Sequence, residues 1–305
     1  MTDSRKGPPE GTWYAVREAR EMDCLPADTE GRNVHRCGQK GAYMKTFRVL
    51  KVLLKIRFQN LMMFRLGFWG PFFVDGSLFF IQLVIFDAIY ANVEQIGSWG
   101  RGEMILYIGT FSLINAVNMT VYFFGVNGIV WKIRSGTMDL YLSKPVSPLF
   151  RITFECMNPG SLPLLAFSAA IIAYGLGLAD IRVTAGRFLG YLFFLALMIV
   201  LYYEMEVIIR SVAFYLVSNA RLEQLEEMGL ELCMNLPGIA FYGIYKVIFY
   251  GILPYGIMAT LPVQELTGEM SPGAAAHGIG IVCIFGVITA IVWKRGIRHY
   301  NSASS

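Results

Sequence analysis

Hydrophobic and polar positions divide the chain into a polar start, a mixed segment and six long apolar runs. A helix needs about 20 residues, at about 1.5 Å rise per residue, to cross about 30 Å of hydrocarbon. Each of the six runs is close to that length or exceeds it. They occupy residues 68–90, 104–130, 162–178, 188–217, 239–262 and 274–293, to within a few residues. The pattern therefore predicts six membrane-spanning helices.

Two different segments precede the first apolar run. Residues 1–42 contain three prolines, several glycines and mixed charge, which is typical of a disordered tail. From 43 to 66, basic residues share one side of a helix and apolar residues fill much of the other. An amphipathic basic helix of this kind lies on a membrane surface. We predict a tail at 1–42, a surface helix at 43–66, and one membrane domain over 43–305.

The composition supports a membrane location for the whole domain. Hydrophobic residues make up 55% of the chain and charged residues 16%, with a mean hydropathy of +0.50. A water-soluble protein of this size needs more charge on its surface, whereas lipid accepts apolar side chains. The expected fold class is an all-α integral membrane protein.

The positions of Lys and Arg indicate which loops face the cytoplasm, because cytoplasmic flanks hold the excess of positive charge. Fourteen lie on one side of the predicted spans, namely Lys45, Arg48, Lys51, Lys55, Arg57, Arg65, Lys132, Arg134, Lys144, Arg151, Arg221, Lys294, Arg295 and Arg298. Three lie on the other side, namely Arg101, Arg182 and Arg187. This distribution predicts a protein of the cell (inner) membrane with both termini in the cytoplasm.

The sequence lacks the motifs of a nucleotide-binding or hydrolytic protein. It contains no G-x-x-x-x-G-K-[ST], H-E-x-x-H or G-x-S-x-G run. The five cysteines are odd in number and widely spaced, which predicts neither a disulfide framework nor a metal site. We expect that the chain is not an enzyme and binds no cofactor or metal of its own.

Polar residues inside apolar runs are candidates for function, since a charge at mid-membrane costs at least about 2.5 kcal/mol. The candidates for a pathway or for contacts between subunits are Asn115, Asn118, Glu204, Glu206 and Arg210. Glu206 and Arg210 are four residues apart, so they could equally form a structural ion pair on one helix. The two asparagines could equally hydrogen-bond a neighbouring helix.

The loop after the second run is the longest between spans and contains a short helix-forming stretch. Ser135 and Gly136 favour a break, a helix then starts near Thr137, and Pro145 ends it by disfavouring helix at Lys144. Taken alone, this element is an interfacial connector.

Three segments carry a resemblance to a known family. They are RSGTMDLYLSKPVSPLF (134–150), LPYGIMATLPVQELTG (253–268) with its two prolines, and WKRGIRHYNSAS (293–304). Together they resemble, in order and over about residues 45–304, the bacterial type-two ABC transporter permeases. The similar branch is built from two different permease subunits and a separate ATPase.

The resemblance implies a permease subunit of an ATP-driven exporter. The loop element becomes the coupling helix that docks on a cytoplasmic ATPase, with Asp139, Tyr141, Lys144 and Pro145 as its residues. The segment at 43–66 becomes the connecting helix. The implied partners are two ATPase copies, which bind ATP and Mg²⁺, and a second, non-identical permease. The alternatives left open are a secondary transporter or channel without an ATPase and a scaffold subunit, and the substrate class is also open.

Overall fold

The computed structural model describes residues 65–144, 146–179, 181, 183–216 and 219–300. The predicted tail at 1–42, nearly all of the predicted surface helix at 43–66, and Pro145 lie outside the described residues.

Twelve α-helices account for most of the described chain. In chain order they are α1 (Arg65–Tyr90), α2 (Arg101–Val121), α3 (Phe123–Arg134), α4 (Asp139–Leu142), α5 (Pro148–Glu155), α6 (Leu162–Ala179), α7 (Ala185–Ser211), α8 (Ala220–Asn235), α9 (Gly243–Val247), α10 (Tyr255–Met258), α11 (Thr260–Thr267) and α12 (Pro272–His299). Short 3₁₀ turns occupy Pro159–Ser161, Val212–Phe214 and Gly238–Ala240, and a π-helical turn, Ile248–Ile252, continues α9.

The prediction of an all-α membrane protein is confirmed. Five helical segments are long and apolar enough to cross a membrane, and they contain α1, α2, α6, α7 and α12. A sixth candidate is a bent pair, Gly243–Ile252 and Tyr255–Thr267, whose two parts meet at 78°. The second predicted span is also divided, because α2 and α3 are separated at Tyr122.

The long helices form one bundle, and their ends lie together at its two ends. We call the end at which α3, α7 and α12 finish the basic end, since their last turns carry Lys132, Arg134, Arg210 and Arg298. The other end is called the opposite end. Helices α7 and α12 run parallel toward the basic end, where Thr289 on α12 donates a hydrogen bond to the Glu204 carbonyl at 3.4 Å.

Helices α2 and α6 form the closest helix pair and run antiparallel. Gly102 faces Ala179 so closely that a Cβ on the glycine would lie 2.5 Å from the Ala179 Cα. Further along the pair, the Ser112 and Ser168 hydroxyls are 2.7 Å apart. Small residues and interhelical hydrogen bonds are the usual means of packing helices in lipid, where apolar surface alone provides little driving force.

Helix α8 also runs from the basic end to the opposite end. Just before it, Asn219 accepts a hydrogen bond from Arg134 at the basic end, at 3.3 Å. At its far end, the Tyr107 hydroxyl donates to the Cys233 carbonyl, and Ile239 packs on Gly97 in the loop between α1 and α2. Its 16 residues cover about 24 Å. The contacts therefore make α8 a crossing helix.

The bent pair that follows α8 enters the bundle and returns to the end where it started. Its two flanks meet the same loop, because Ile239 packs on Gly97 and Glu269 accepts a hydrogen bond from the Trp99 indole at 3.0 Å. Between these flanks the chain reaches Tyr255, whose ring lies 6.5 Å from the ring of Tyr202 in the second half of α7. We call α9, the π-helical turn, α10 and α11 the re-entrant hairpin.

The structure thus differs from the predicted straight span at 239–262. Among the described residues, six segments extend between the two ends of the bundle, namely α1, α2 with α3, α6, α7, α8 and α12. Of these, α8 does not belong to the helices that are long and apolar enough to span a membrane by themselves. The apolar run at 239–262 forms most of the hairpin, whose second arm, α10 and α11, is largely buried in the bundle, whereas the residues of α9 are exposed. Helix α8 contains Arg221, Glu223, Glu226, Glu227 and Glu231. The mean hydropathy of the helix is therefore low, and this average gives no sign that the helix extends across the bundle.

Cysteine labelling distinguishes the two topologies. In a chain whose native cysteines have been replaced, Asn235→Cys is compared with Glu94→Cys at the opposite end and Ser143→Cys at the basic end. All three positions are exposed. We expect a membrane-impermeant maleimide to label Asn235→Cys from the same side of the membrane as Glu94→Cys. Labelling from the side of Ser143→Cys would show that 239–262 is a crossing after all.

Candidate functional site

A cavity of about 430 Å³ lies between α1, the α2 and α3 pair, α7 and α8. Carboxylates dominate its polar lining. They are Asp75, Glu206, Glu223, Glu226, Glu227 and Glu231. Intramembrane carboxylates normally face a bundle interior or a water-filled space rather than lipid. The arrangement of α8 obeys this rule, since all four of its glutamates line the cavity.

Arg210 holds two of these carboxylates in a buried ion network. Its guanidinium lies 3.1 Å from Glu206 on the same helix and forms a second ion pair with Glu226 on α8. The side chains of Arg210, Glu206 and Glu226 are at most 6% exposed. The Tyr255 hydroxyl at the tip of the re-entrant hairpin donates to Glu226 at 3.4 Å. The network therefore joins α7, α8 and the hairpin.

The structure brings together three of the five predicted intramembrane residues. Asn115, Glu206 and Arg210 all line the cavity. Asn118 is fully buried on α2, and its side-chain amide has no hydrogen-bond partner among the described residues. Glu204 is 8% exposed and faces α12, where its carboxylate lies against Gly286. The ion pair between Glu206 and Arg210 is present, and both side chains also form part of the cavity wall.

Sequence reasoning missed the glutamates of α8. Residues 218–238 fall between two apolar runs and therefore had the pattern of a loop. A signal was nevertheless present, since Glu223, Glu226, Leu230 and Met234 recur at helical spacing and all line the cavity. Leu225 and Met228 lie on the other side and are 57% and 67% exposed. This reversed amphipathicity is expected of a crossing helix whose polar face is turned inward.

The short helix that the sequence predicts after Gly136 is present at the basic end as α4. Gly136 has a φ of 71°, a left-handed conformation that stops α3 at little steric cost. The chain then forms α4, shorter than the predicted helix from Thr137 to Lys144, and Pro148 starts α5. The break at Ser135 and Gly136 is placed where the sequence indicated it.

Tyr141 anchors α4 to its neighbours. Its hydroxyl donates to Glu155 at 2.8 Å, and its ring lies under Lys132 at 5.5 Å and Arg151 at 4.9 Å. Burial, followed by this hydrogen bond, raises the pKa of the Tyr141 phenol, so the group stays protonated at neutral pH. The side chain is 7% exposed and is turned into the fold.

The outward surface of α4 consists of other side chains. Leu140 is 62% exposed and Leu142 37% exposed, and Lys144 is also exposed. Asp139 is half-buried and lies near the C-terminal end of α12, where its carboxylate contributes, after burial, to raising the pKa of Tyr300. Leu140 and Leu142 were not among the predicted residues, because the sequence does not show which side chains of so short a helix are exposed.

A small second core ties α4 to the long helices. It contains Tyr122, Val126, Ile129, Met138, Tyr141, Ile152, Val207, Phe214 and Trp293. These residues come from α2 and α3, from α4 and α5, and from α7 and α12 with their flanks. We call it the basic-end core. Close-packed side chains therefore connect α4 to several long helices.

A family model described as ABC-2 family transporter protein matches residues 77–304. The chain belongs to this family. The matched region begins within α1 and contains the re-entrant hairpin, the basic-end core and the described cavity lining except Asp75. No curated protein and no solved structure matches the chain.

Membership of the ABC-2 family confirms the resemblance at the level of an ABC-2 permease. Members of the family are membrane components of transport systems that act together with an ATPase, and they are not themselves the catalytic subunit. The apolar helices and the family together make this chain a multi-pass membrane protein.

The ion network predicts that Arg210 is essential for a stable membrane domain. Arg210→Met would leave Glu206 and Glu226 buried without a counter-charge, which costs about 3–5 kcal/mol. We expect a markedly lower melting temperature in detergent, or loss of the monodisperse elution peak.

The matched control is Arg101→Met, which removes the ion pair with Asp87. Those two side chains are 50% and 56% exposed, so the pair contributes at most about 1 kcal/mol. Equal melting temperatures for the two variants would contradict a stabilising role of the buried network.

Proposed function

We propose that this chain is the membrane-spanning permease subunit of an ATP-driven ABC exporter. The observation that carries the proposal is the family match, combined with an exposed apolar element at the basic end of the bundle. Export follows the branch that the three sequence motifs resemble. The chain forms the translocation pathway together with a second, non-identical permease.

The coupling step takes place at α4. Leu140 inserts into a groove on a cytoplasmic ATPase, because an exposed leucine on a firmly held helix is a suitable apolar anchor. Lys144 lies beside it and adds a charged contact at the rim. Tyr141 fixes the orientation of α4 from within the fold. Closure of the ATPase then moves α4, and the basic-end core transmits that displacement to the long helices.

The translocation pathway includes the cavity that is lined by six carboxylates, which we call the acidic cavity. Glu227 and Glu231 line it and are also exposed, so the single chain leaves the cavity open on one side. The second permease closes that side. Helix α8 presents an exposed apolar stripe next to this opening, which includes Leu225 and Met228.

Energy and location complete the proposal. Two copies of the ATPase bind ATP and Mg²⁺, and the permease binds no cofactor. The assembly lies in the cell (inner) membrane, with the basic end and both termini of this chain in the cytoplasm. The basic residues at the ends of α3 and α12 support this orientation.

Purification of the chain with the proteins encoded beside it tests the proposal. A tagged chain is extracted in mild detergent, and the eluate is assayed for ATP hydrolysis and for its protein content. We expect an ATPase and a second membrane protein to elute with it. A monodisperse chain that carries no ATPase would mean that the alternative of a transporter without an ATPase is the better account.

Leu140→Asp examines the coupling contact itself. Since Leu140 is 62% exposed, the change should alter the stability of the chain by no more than about 0.5 kcal/mol. We expect the amount of co-eluting ATPase to fall at least about tenfold, which corresponds to about 1.4 kcal/mol of binding free energy.

Val93→Asp is the matched control, because Val93 is 45% exposed and lies in the loop at the opposite end. It should retain the ATPase. If Leu140→Asp keeps a fully coupled ATPase, α4 is not the docking element.

A further inference from the structure

The acidic cavity carries more negative charge than its own cation can balance. Six carboxylates line it, and among the described lining residues Arg210 is the one cation. Arg210 is already engaged by Glu206 and Glu226. Asp75, Glu227 and Glu231 have no cationic partner among the described residues. A cavity at this depth in a membrane protein with uncompensated carboxylates favours a positively charged occupant.

Tyr202 is an independent sign that the cavity receives a ligand. The side chain lines the cavity and the residue is only 5% exposed, yet its hydroxyl forms no hydrogen bond with any described residue. Buried tyrosine hydroxyls normally have a partner. Tyr122 and Tyr255 contact the edges of its ring, and neither supplies one. The hydroxyl is therefore available to a group inside the cavity.

The remaining lining determines what kind of cation fits. Aromatic rings line the cavity together with the carboxylates, and they belong to Phe79, Phe111, Phe123 and Tyr202. Aromatic faces attract ammonium groups and also cover apolar surface. Among the described residues, no group of three or more His, Cys, Asp or Glu side chains is placed to hold a metal ion. The combination suits an organic cation better than a metal ion.

We infer that this cavity binds an organic cation, with a positively charged group against Glu227 and Glu231 and an apolar body against the aromatic rings. The inference rests on the proposed function, for which it names the substrate class. Met119 and Met234 also line the cavity, and their flexible side chains adapt to apolar bodies of different shapes.

Equilibrium dialysis with radiolabelled tetraphenylphosphonium tests the inference. The full-length chain is used in detergent, together with whatever ATPase co-elutes with it. We expect saturable binding that tetraphenylborate, an anion of nearly the same shape, does not displace. The double variant Glu227→Gln, Glu231→Gln should lower the affinity at least about tenfold. Both residues are exposed, so the variant should elute like the wild type.

Glu94→Gln is the matched control, because Glu94 is an exposed carboxylate in the loop at the opposite end. It should bind tetraphenylphosphonium as the wild type does. The inference is overturned if the correctly folded wild type shows no saturable binding, if tetraphenylborate competes equally, or if the double variant binds with unchanged affinity.

The outcome is separable from that of the proposed function. A co-eluting ATPase without binding of tetraphenylphosphonium overturns only the substrate class. Binding to a chain that carries no ATPase supports the cavity assignment and overturns the ATP-driven mechanism.

Discussion

The two ion pairs of Arg210 are the interaction on which the architecture depends. They hold Glu206 on α7 and Glu226 on α8, so that a helix containing four glutamates crosses the bundle. A buried carboxylate without such a partner would cost several kcal/mol, and α8 would be expelled to the surface. With α8 in place, the chain reaches the opposite end and the re-entrant hairpin can return into the bundle. The hairpin tip then adds Tyr255 to the same network.

Helix α7 connects this network to the basic end. Tyr202, Glu206 and Arg210 face the cavity, while Val207 on the same helix and Phe214 just after it belong to the basic-end core. That core also contains Tyr141, which anchors α4. Helix α7 therefore contributes both to the cavity wall and to the core that holds α4, the proposed ATPase contact. Movement at α4 can reach the cavity walls over a short, close-packed route.

The sequence predicted the helical membrane fold and five of its candidate spans, because α1, α2, α6, α7 and α12 are long and predominantly apolar. It predicted a straight fifth span, and the bent pair found there has a physical reason. The run at 239–262 is apolar because α10 and the first part of α11 are buried in protein and α9 exposes apolar side chains outside the bundle, whereas α8 is polar because its glutamates face the cavity. The composition of a segment shows neither which residues surround it nor whether its polar side chains face a cavity. Glu206 and Arg210 were found as charges inside an apolar run, and their four-residue spacing indicated the ion pair. Their partner Glu226 lies on another helix, and local spacing carries no information about that contact.

The position of α8 within the membrane is the central claim, and nitroxide accessibility measures it most directly. Spin labels are placed one at a time at Glu227, which lines the cavity, and at Met228, which is 67% exposed on the outer side of α8. In reconstituted vesicles we expect the label at Met228 to be more accessible to oxygen than to a water-soluble nickel reagent, with the opposite preference at Glu227. High nickel accessibility at both positions would contradict the account, because α8 would then lie in water outside the bundle.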